Sequence, residues 1–291
     1  MNHRNNHGGA EAQRKSDFSE TQRARSAQSK NDFLFSGFSF APFAPSALKK
    51  SFLLLCASVP LWFALEAAQA DERYDALRRR MVEEVARMAA LTAAETGRTK
   101  LDAKVMAALT RVPRHQFVPS GQAPYAYENR PLPIGHGQTI SQPYIVALMT
   151  DLLEVKPGHK VLEVGTGSGY QAAVLAEMSA QVFTIEIIEP LGRTADERLK
   201  RLGYHQVRVR LGDGYYGWPE EAPFDAIIVT AAASHIPPSL VRQLKPGARM
   251  LIPVGAPFLT QHLMLVRKNT EGNVESRQIL PVRFVPLVGG H

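Results

Sequence analysis

One cysteine, Cys56, is all this chain has. That excludes a disulfide within the chain and any metal site built on thiolates. The histidines are dispersed and form no HExxH-type pair, so no metal is expected. No apolar run reaches the roughly 20 residues that a membrane-spanning helix needs. The formal net charge is +7, yet the lysines and arginines are scattered. No basic stripe with interleaved aromatics appears, so nucleic acid is not expected as a partner. One further scarcity is local. The stretch GHGQTISQPY, Gly135 to Tyr144, has no cysteine, lysine or carboxylate. Its polar groups are the hydroxyls of Thr139 and Ser141 and the amides of Gln138 and Gln142.

What is present suits an ordinary folded domain. The 291 residues are 45% hydrophobic and 21% charged, enough for a sizeable core. Residues 1–47 are polar and without pattern, and a disordered extension is expected there. Residues 48–70 differ. Lys49 and Lys50 precede an apolar run from Phe52 to Leu65, and Ala68-Gln69-Ala70 has the small-x-small form of a cleavage site. This reads as a secretory signal peptide. Such a segment normally begins a chain, so a true start near Leu48 is the accompanying expectation.

One domain is expected over 71–291, with a helical part at 71–155 and a sheet-bearing part at 156–291. In ERYDALRRRMVEEVARMAAL, Tyr74, Leu77, Met81, Val85 and Met88 fall on one helical face. A second helix is expected over LDAKVMAALTRV, ended by Pro113. From Lys160 the period changes. KVLEV, QVFTIEI, VRVRL, FDAIIVT and RMLIPV are short, branched runs separated by helix-length or loop-length segments. Such alternation predicts an α/β fold with a largely parallel sheet. HLMLVRK and VESRQILPVRFVPL follow in close succession around Glu271-Gly272-Asn273, which predicts an antiparallel edge.

VLEVGTGSGY reads as a strand, a glycine turn and a helix start. Gly165, Gly167 and Gly169 allow a tight turn and close approach to a ligand. By itself the motif is weak evidence, since a tight strand-to-helix turn can also hold no ligand. Its spacing is GxGxG, not the GxGxxG of dinucleotide enzymes. Glu163 stands inside the strand, where it would repel a pyrophosphate but suits a cation. Glu186 ends the next strand, where a carboxylate can accept both ribose hydroxyls. Asp213, beside Gly214, follows the third strand and can accept from an adenine amino group. A cationic adenosine compound without phosphate fits all three, and S-adenosylmethionine is that compound. Taken singly, Glu186 is equally a solvated strand end, and Asp225 a loop cap.

With these motifs the chain resembles the protein-L-isoaspartate O-methyltransferase family. The resemblance runs from about Asp71 to His291. It is carried by VLEVGTGSGYQAAVLAEM, PLPIGHGQTISQPYIVALMTDLLEVKPG, GDGYYGWPEEAPFDAIIVTAAASHIPPSLVRQLKPGARMLIPVG and RFVPLVGG. The glycine motif is shared by many methyltransferases, whereas GQTISQP and RFVPL are specific to this family. The first 70 residues depart from the family pattern. The resemblance implies a Rossmann-like class I S-adenosylmethionine-dependent methyltransferase fold: a mostly parallel twisted sheet, helices on both faces, and an N-terminal helical extension. It implies methyl transfer to the free carboxylate of L-isoaspartyl residues, and more weakly D-aspartyl residues, in damaged proteins. The ester then favours return to normal aspartate through a succinimide. It implies the cytoplasm, against the signal-like segment, whose cleavage would place the protein in the periplasm. The partners expected are age-damaged proteins and peptides, with no stable membrane association and a monomeric chain.

An isoaspartyl carboxylate is ionised at neutral pH, given an unperturbed pKa of about 4. It is already a nucleophile, so no proton needs to move. Positioning and exclusion of water remain. A loop of hydroxyls, amides and backbone N–H groups supplies these without neutralising or repelling the acceptor. The resemblance makes Ser141 the active-site residue, binding and orienting that carboxylate, with Gln138, Thr139 and Ile140 lining the junction with the cofactor. Ser141 before Pro143 also fits a helix N-cap. The resemblance assigns Val285, Pro286 and Leu287 to the peptide, in a segment that otherwise reads as an edge strand. It places Thr230 to Ala233 beside the acceptor, and leaves His235 a loop residue. A methyltransferase for other acceptors, and a cofactor-binding protein without turnover, are the competing readings.

Overall fold

A computed structural model describes residues 72–257 and 259–290. The extension at 1–47 and the signal-like segment at 48–70 lie outside them. Helix α1 spans residues 72–91 and a further turn covers Ala93–Thr96. Met81, Val85 and Ala89 are fully buried, and Tyr74, Leu77 and Met88 pack against the same core. The expected apolar face therefore carries α1. Helix α2, Ala103–Arg111, starts where Asp102 accepts from Lys104 N at 2.7 Å, an N-cap bond that satisfies one free amide.

Next comes a hairpin of β1 (Leu132–Gly135) and β2 (Gln138–Ile140), then helix α3 (Pro143–Leu152). The polar stretch is therefore not an open loop. Its turn is His136-Gly137, with φ of 52° and 71°, and two consecutive positive φ values are what a tight two-residue hairpin requires.

The main sheet has the order β5-β4-β3-β6-β7-β8-β9. β3 is Lys160–Val164, β4 Gln181–Glu186, β5 Arg208–Leu211, β6 Phe224–Val229, β7 Leu244–Val254, β8 Gln261–Lys268 and β9 Val274–Val282. β5 through β7 pair in parallel; β8 and β9 add the antiparallel edge. Helices α4 (Tyr170–Glu177) and α5 (Glu189–Arg201) connect the first parallel strands, and a short α6 (Pro238–Arg242) precedes β7. Apolar residues of β3 divide between two core layers: Val161 to one face, Leu162 and Val164 to the other.

Two strand limits differ from the sequence reading. β7 begins at Leu244 rather than Arg249, because Lys245-Pro246-Gly247 joins the strand across a register shift opposite Phe224 and Ala226. β9 stops at Val282. Beyond it only an isolated bridge remains, Pro286 to Ala232. Among the described residues no helix is long and apolar enough to cross a membrane.

The strand order reverses between β3 and β6. In open α/β sheets a crevice forms at the carboxyl ends of the strands at such a switch point. β3 delivers the glycine turn there, β4 delivers Glu186, and β6 delivers Thr230.

Candidate active site

A cleft lies at this point. Its wall includes Gln138 to Ser141, Glu163, Gly165, Gly167, Glu186, Gly214, Thr230 and Val285 to Val288. Almost every residue singled out from the sequence is therefore on one surface. Gly169 and Asp213 are the exceptions. Gly169 is the N-cap residue of α4, with φ 88°. Asp213 accepts from Tyr215 N at 2.9 Å and Gly290 N at 3.2 Å. Those bonds set the turn that brings Gly214 to the wall, with Asp213 next to it in sequence. At Gly214 a Cβ would run into Val164 Cγ1. Gly165 has φ 96°, and a Cβ there would come within 2.5 Å of Thr230 Oγ1. Only glycine lets the backbone pass this close.

The two strand acids differ sharply. Glu186 is buried, its Oε2 accepting from Gly167 N (2.7 Å) and its Oε1 from Ile188 N (2.9 Å). It is not a solvated strand end; it clamps the glycine turn to the end of β4. Glu163 is fully buried; neither of its carboxylate oxygens has a partner at regular hydrogen-bond geometry, and only the Thr184 hydroxyl acts to favour its charge. Burial, with the Glu186 charge adding to it, pushes its carboxyl up to about 8. An unpartnered buried acid is costly unless something compensates it. A cation entering the cleft does so, and the site thus fits a cationic adenosine cofactor.

This fit has a measurable consequence. Below about pH 8 the free protein holds Glu163 protonated. A cation beside it favours the ionised form and expels the proton. Cofactor affinity should therefore rise as the pH climbs towards 8 and level off above. Calorimetry at pH 7 in buffers of different ionisation enthalpy should detect a released proton. Glu163→Gln should release none, and equal proton release from that variant rules the acid out as the source.

Thr230 Oγ1 donates to the carbonyls of Val164 (3.0 Å) and Gly165 (2.7 Å), so its hydroxyl ties β6 to the glycine turn. Ser141 is not the N-cap of α3; Gln142 holds that position and makes no side-chain cap bond. Val285 to Leu287 pair with the loop after β6, through Ala232 N to Val285 O (2.8 Å) and Leu287 N to Ala232 O (2.7 Å). The C-terminal segment is thereby a wall of the cleft. His235 is exposed and bonds to Tyr215 and Ser234 (3.0 Å each), away from the cleft wall. Asp225, read as a cap, accepts from Lys160 N and from Lys245 Nζ, both at 2.8 Å, at the far end of the sheet.

One residue escaped the sequence reading. Arg114 is fully buried. Its Nη2 donates to Ser141 O and its Nε to Ala126 O, both at 2.8 Å. Its guanidinium lies 4.7 Å from the ring centre of Tyr170, itself on the cleft wall. Burial lowers its pKa to about 10, so it remains a cation at neutral pH. Arg114 thus ties the Ser141 backbone to the first residue of α4. The available signal was an arginine between Pro113 and Phe117-Val118, in a stretch that buries apolar side chains.

A second cavity, of about 360 Å³, opens beside the cleft. The two share Thr139, Ser141, Thr230 and Val285. Its wall continues through Gln142, Thr260 and Pro281 to Phe284. A buried, acid-lined cleft thus meets an open groove at a hydroxyl-bearing junction. That arrangement suits transfer of a group from an enclosed cofactor to part of a larger chain.

Comparison with known proteins agrees. The sequence pattern of the protein-L-isoaspartate(D-aspartate) O-methyltransferase family matches residues 87–291. A Cupriavidus necator protein, protein-L-isoaspartate O-methyltransferase 1, is 64% identical over 247 residues, covering 85% of this chain and 95% of its own length. A Polaromonas sp. protein, protein-L-isoaspartate O-methyltransferase 2, is 68% identical over 209 residues, covering 72% and 99%. Among solved structures, a protein-L-isoaspartate O-methyltransferase aligns with a TM-score of 0.62 at 28% identity, over 73% of this chain and 66% of that one. A Plasmodium falciparum structure in complex with S-adenosyl-L-homocysteine aligns with a TM-score of 0.56 at 30% identity, over 64% and 91%.

Proposed function

The chain belongs to the protein-L-isoaspartate(D-aspartate) O-methyltransferase family, and from that premise we propose how its residues divide the work. The protein is an S-adenosylmethionine-dependent repair enzyme that methylates the free carboxylate of L-isoaspartyl residues. The observation that carries the residue-level reading is the junction. Ser141 and Thr139 stand on both the cleft and the groove, with no carboxylate or lysine on the groove wall.

When bound, S-adenosylmethionine supplies a methyl group on a positively charged sulfur, which leaves as a neutral thioether. Glu163 would compensate that charge, and Glu186 and the glycine turn would hold the nucleoside. Asp213 would accept from the adenine amino group, and Gly214 beside it completes the wall. Thr230 keeps the glycine turn closed, and Gln138, Thr139 and Ile140 separate cofactor from groove. Ser141 donates to the acceptor carboxylate and fixes one oxygen in line, while Val285, Pro286 and Leu287 hold the peptide backbone. No side chain needs to take or give a proton, since the acceptor is ionised at neutral pH. The gain is orientation in a water-poor site. The ester then restarts succinimide formation, from which normal aspartate can return.

The compartment in this reading is the cytoplasm, on family grounds alone, with export through a cleaved 48–70 leader as the alternative. The chain acts as a monomer on damaged proteins and peptides.

The test is methyl transfer from labelled S-adenosylmethionine to a matched peptide pair, one with L-isoaspartate and one with L-aspartate. Label is expected in a base-labile ester on the first peptide only. Label on neither, with cofactor binding intact, would refute the acceptor assignment.

A further inference from the structure

The groove wall is apolar or neutral except at one position, Arg283. β9 ends at Val282, which is buried, and Phe284 N donates to Oε1 of the buried Gln261 at 2.8 Å. Both neighbours of Arg283 are therefore pinned, and the arginine between them is exposed. Among the described residues it makes no hydrogen bond or ion pair, unlike Arg98, Arg114 and Arg249, which are all engaged. An unpaired guanidinium on the wall of a groove that holds no acid is complementary to an anion in the occupant.

The reacting carboxylate is the wrong anion for it. Arg283 lines the groove but not the cofactor cleft. A guanidinium on the acceptor would also withdraw the charge that makes it a nucleophile. The complementary group is elsewhere in the substrate chain. Resting on the repair reading above, we propose that Arg283 selects among damaged sites, favouring isoaspartyl residues with an aspartate or glutamate close by in the same peptide.

The experiment compares kcat/KM for isoaspartyl peptides that differ only by Glu or Ala, placed in turn at the first and second positions on either side. At one or more positions the wild-type enzyme should favour Glu over Ala by about two- to fivefold, the range of a partly exposed ion pair. Raising the salt should shrink that ratio. Arg283→Ala should bring it to about one, and Arg283→Glu should invert it. Arg267→Ala removes the same charge from the far end of β8 and should keep it. A wild-type ratio near one at all four positions overturns the inference and leaves the repair reading standing. So does a ratio that persists in Arg283→Ala, because the preference would then arise elsewhere. Equal loss of the ratio in Arg267→Ala overturns it too, because net charge would then be the cause. Methylation of none of the peptides overturns both readings.

Discussion

Replacing Ser141 with alanine is expected to lower kcat about a hundredfold and to leave the affinity for S-adenosylmethionine nearly unchanged. The loss corresponds to about 3 kcal/mol, the scale of one well-placed donor in an enclosed site. The structure removes the main competing explanation. Gln142, not Ser141, occupies the N-cap position of α3, so the variant loses no helix cap. The bond from Arg114 ends on the Ser141 carbonyl, which alanine keeps. The change is thus confined to one hydroxyl at the junction of cleft and groove. Steady-state kinetics with an isoaspartyl peptide, beside direct titration of the cofactor, would separate the two effects. Unaltered turnover removes Ser141 from the reaction, and a large loss of cofactor affinity moves it to the cofactor's side.

The second large effect belongs to Glu186→Ala, and it runs the other way. Cofactor affinity should fall by about 10- to 100-fold, while turnover at saturation falls much less. The charge-assisted bonds that a carboxylate makes to a ligand are worth about 1.5 to 3 kcal/mol. Glu186 also accepts from Gly167 N and Ile188 N, so its removal leaves two amides unsatisfied and frees the glycine turn. Glu186→Gln keeps an acceptor for one of them and should lie between. Isothermal titration of both variants would check the order, and tight binding by Glu186→Ala would exclude the ribose role.

These predictions rest on features that differ in how openly the chain displays them. The glycine turn and its acids were readable because each depends on neighbours in sequence. KVLEV must be a strand, and GTGSG must turn. Glu186 was readable as a strand-end acid, yet its burial and its bond from Gly167 N were not visible, since that amide comes from the turn after β3, and only the Ile188 N partner is local. Asp213 was read as a cofactor contact because strand-end acids often are. Its bonds to Tyr215 N and to Gly290 N, the latter far along the chain, were not visible. The hairpin of Gly135 to Ile140 was read as loop because a two-residue turn at His136-Gly137 leaves strands too short to show alternation. Arg114 was invisible for the reason that makes it effective. Its partners, Ala126, Ser141 and Tyr170, come together only on folding.

By itself the sequence determined the kinds of element, the chemistry available and the cofactor's charge. Hydrophobic period, turn residues and the lack of acid, lysine and thiol in Gly135 to Tyr144 are local properties that survive any arrangement of the chain. Only the tertiary structure decided where that chemistry is used. The reversal of strand order between β3 and β6 gathers Glu163, Glu186 and Thr230 at one crevice. The bridge from Ala232 to Pro286 brings the chain's end to the same place. Burial around Glu163 gives a carboxyl that holds its proton until a cation arrives. Each of these depends on pairing and desolvation between segments distant in sequence, and no local pattern carries that information.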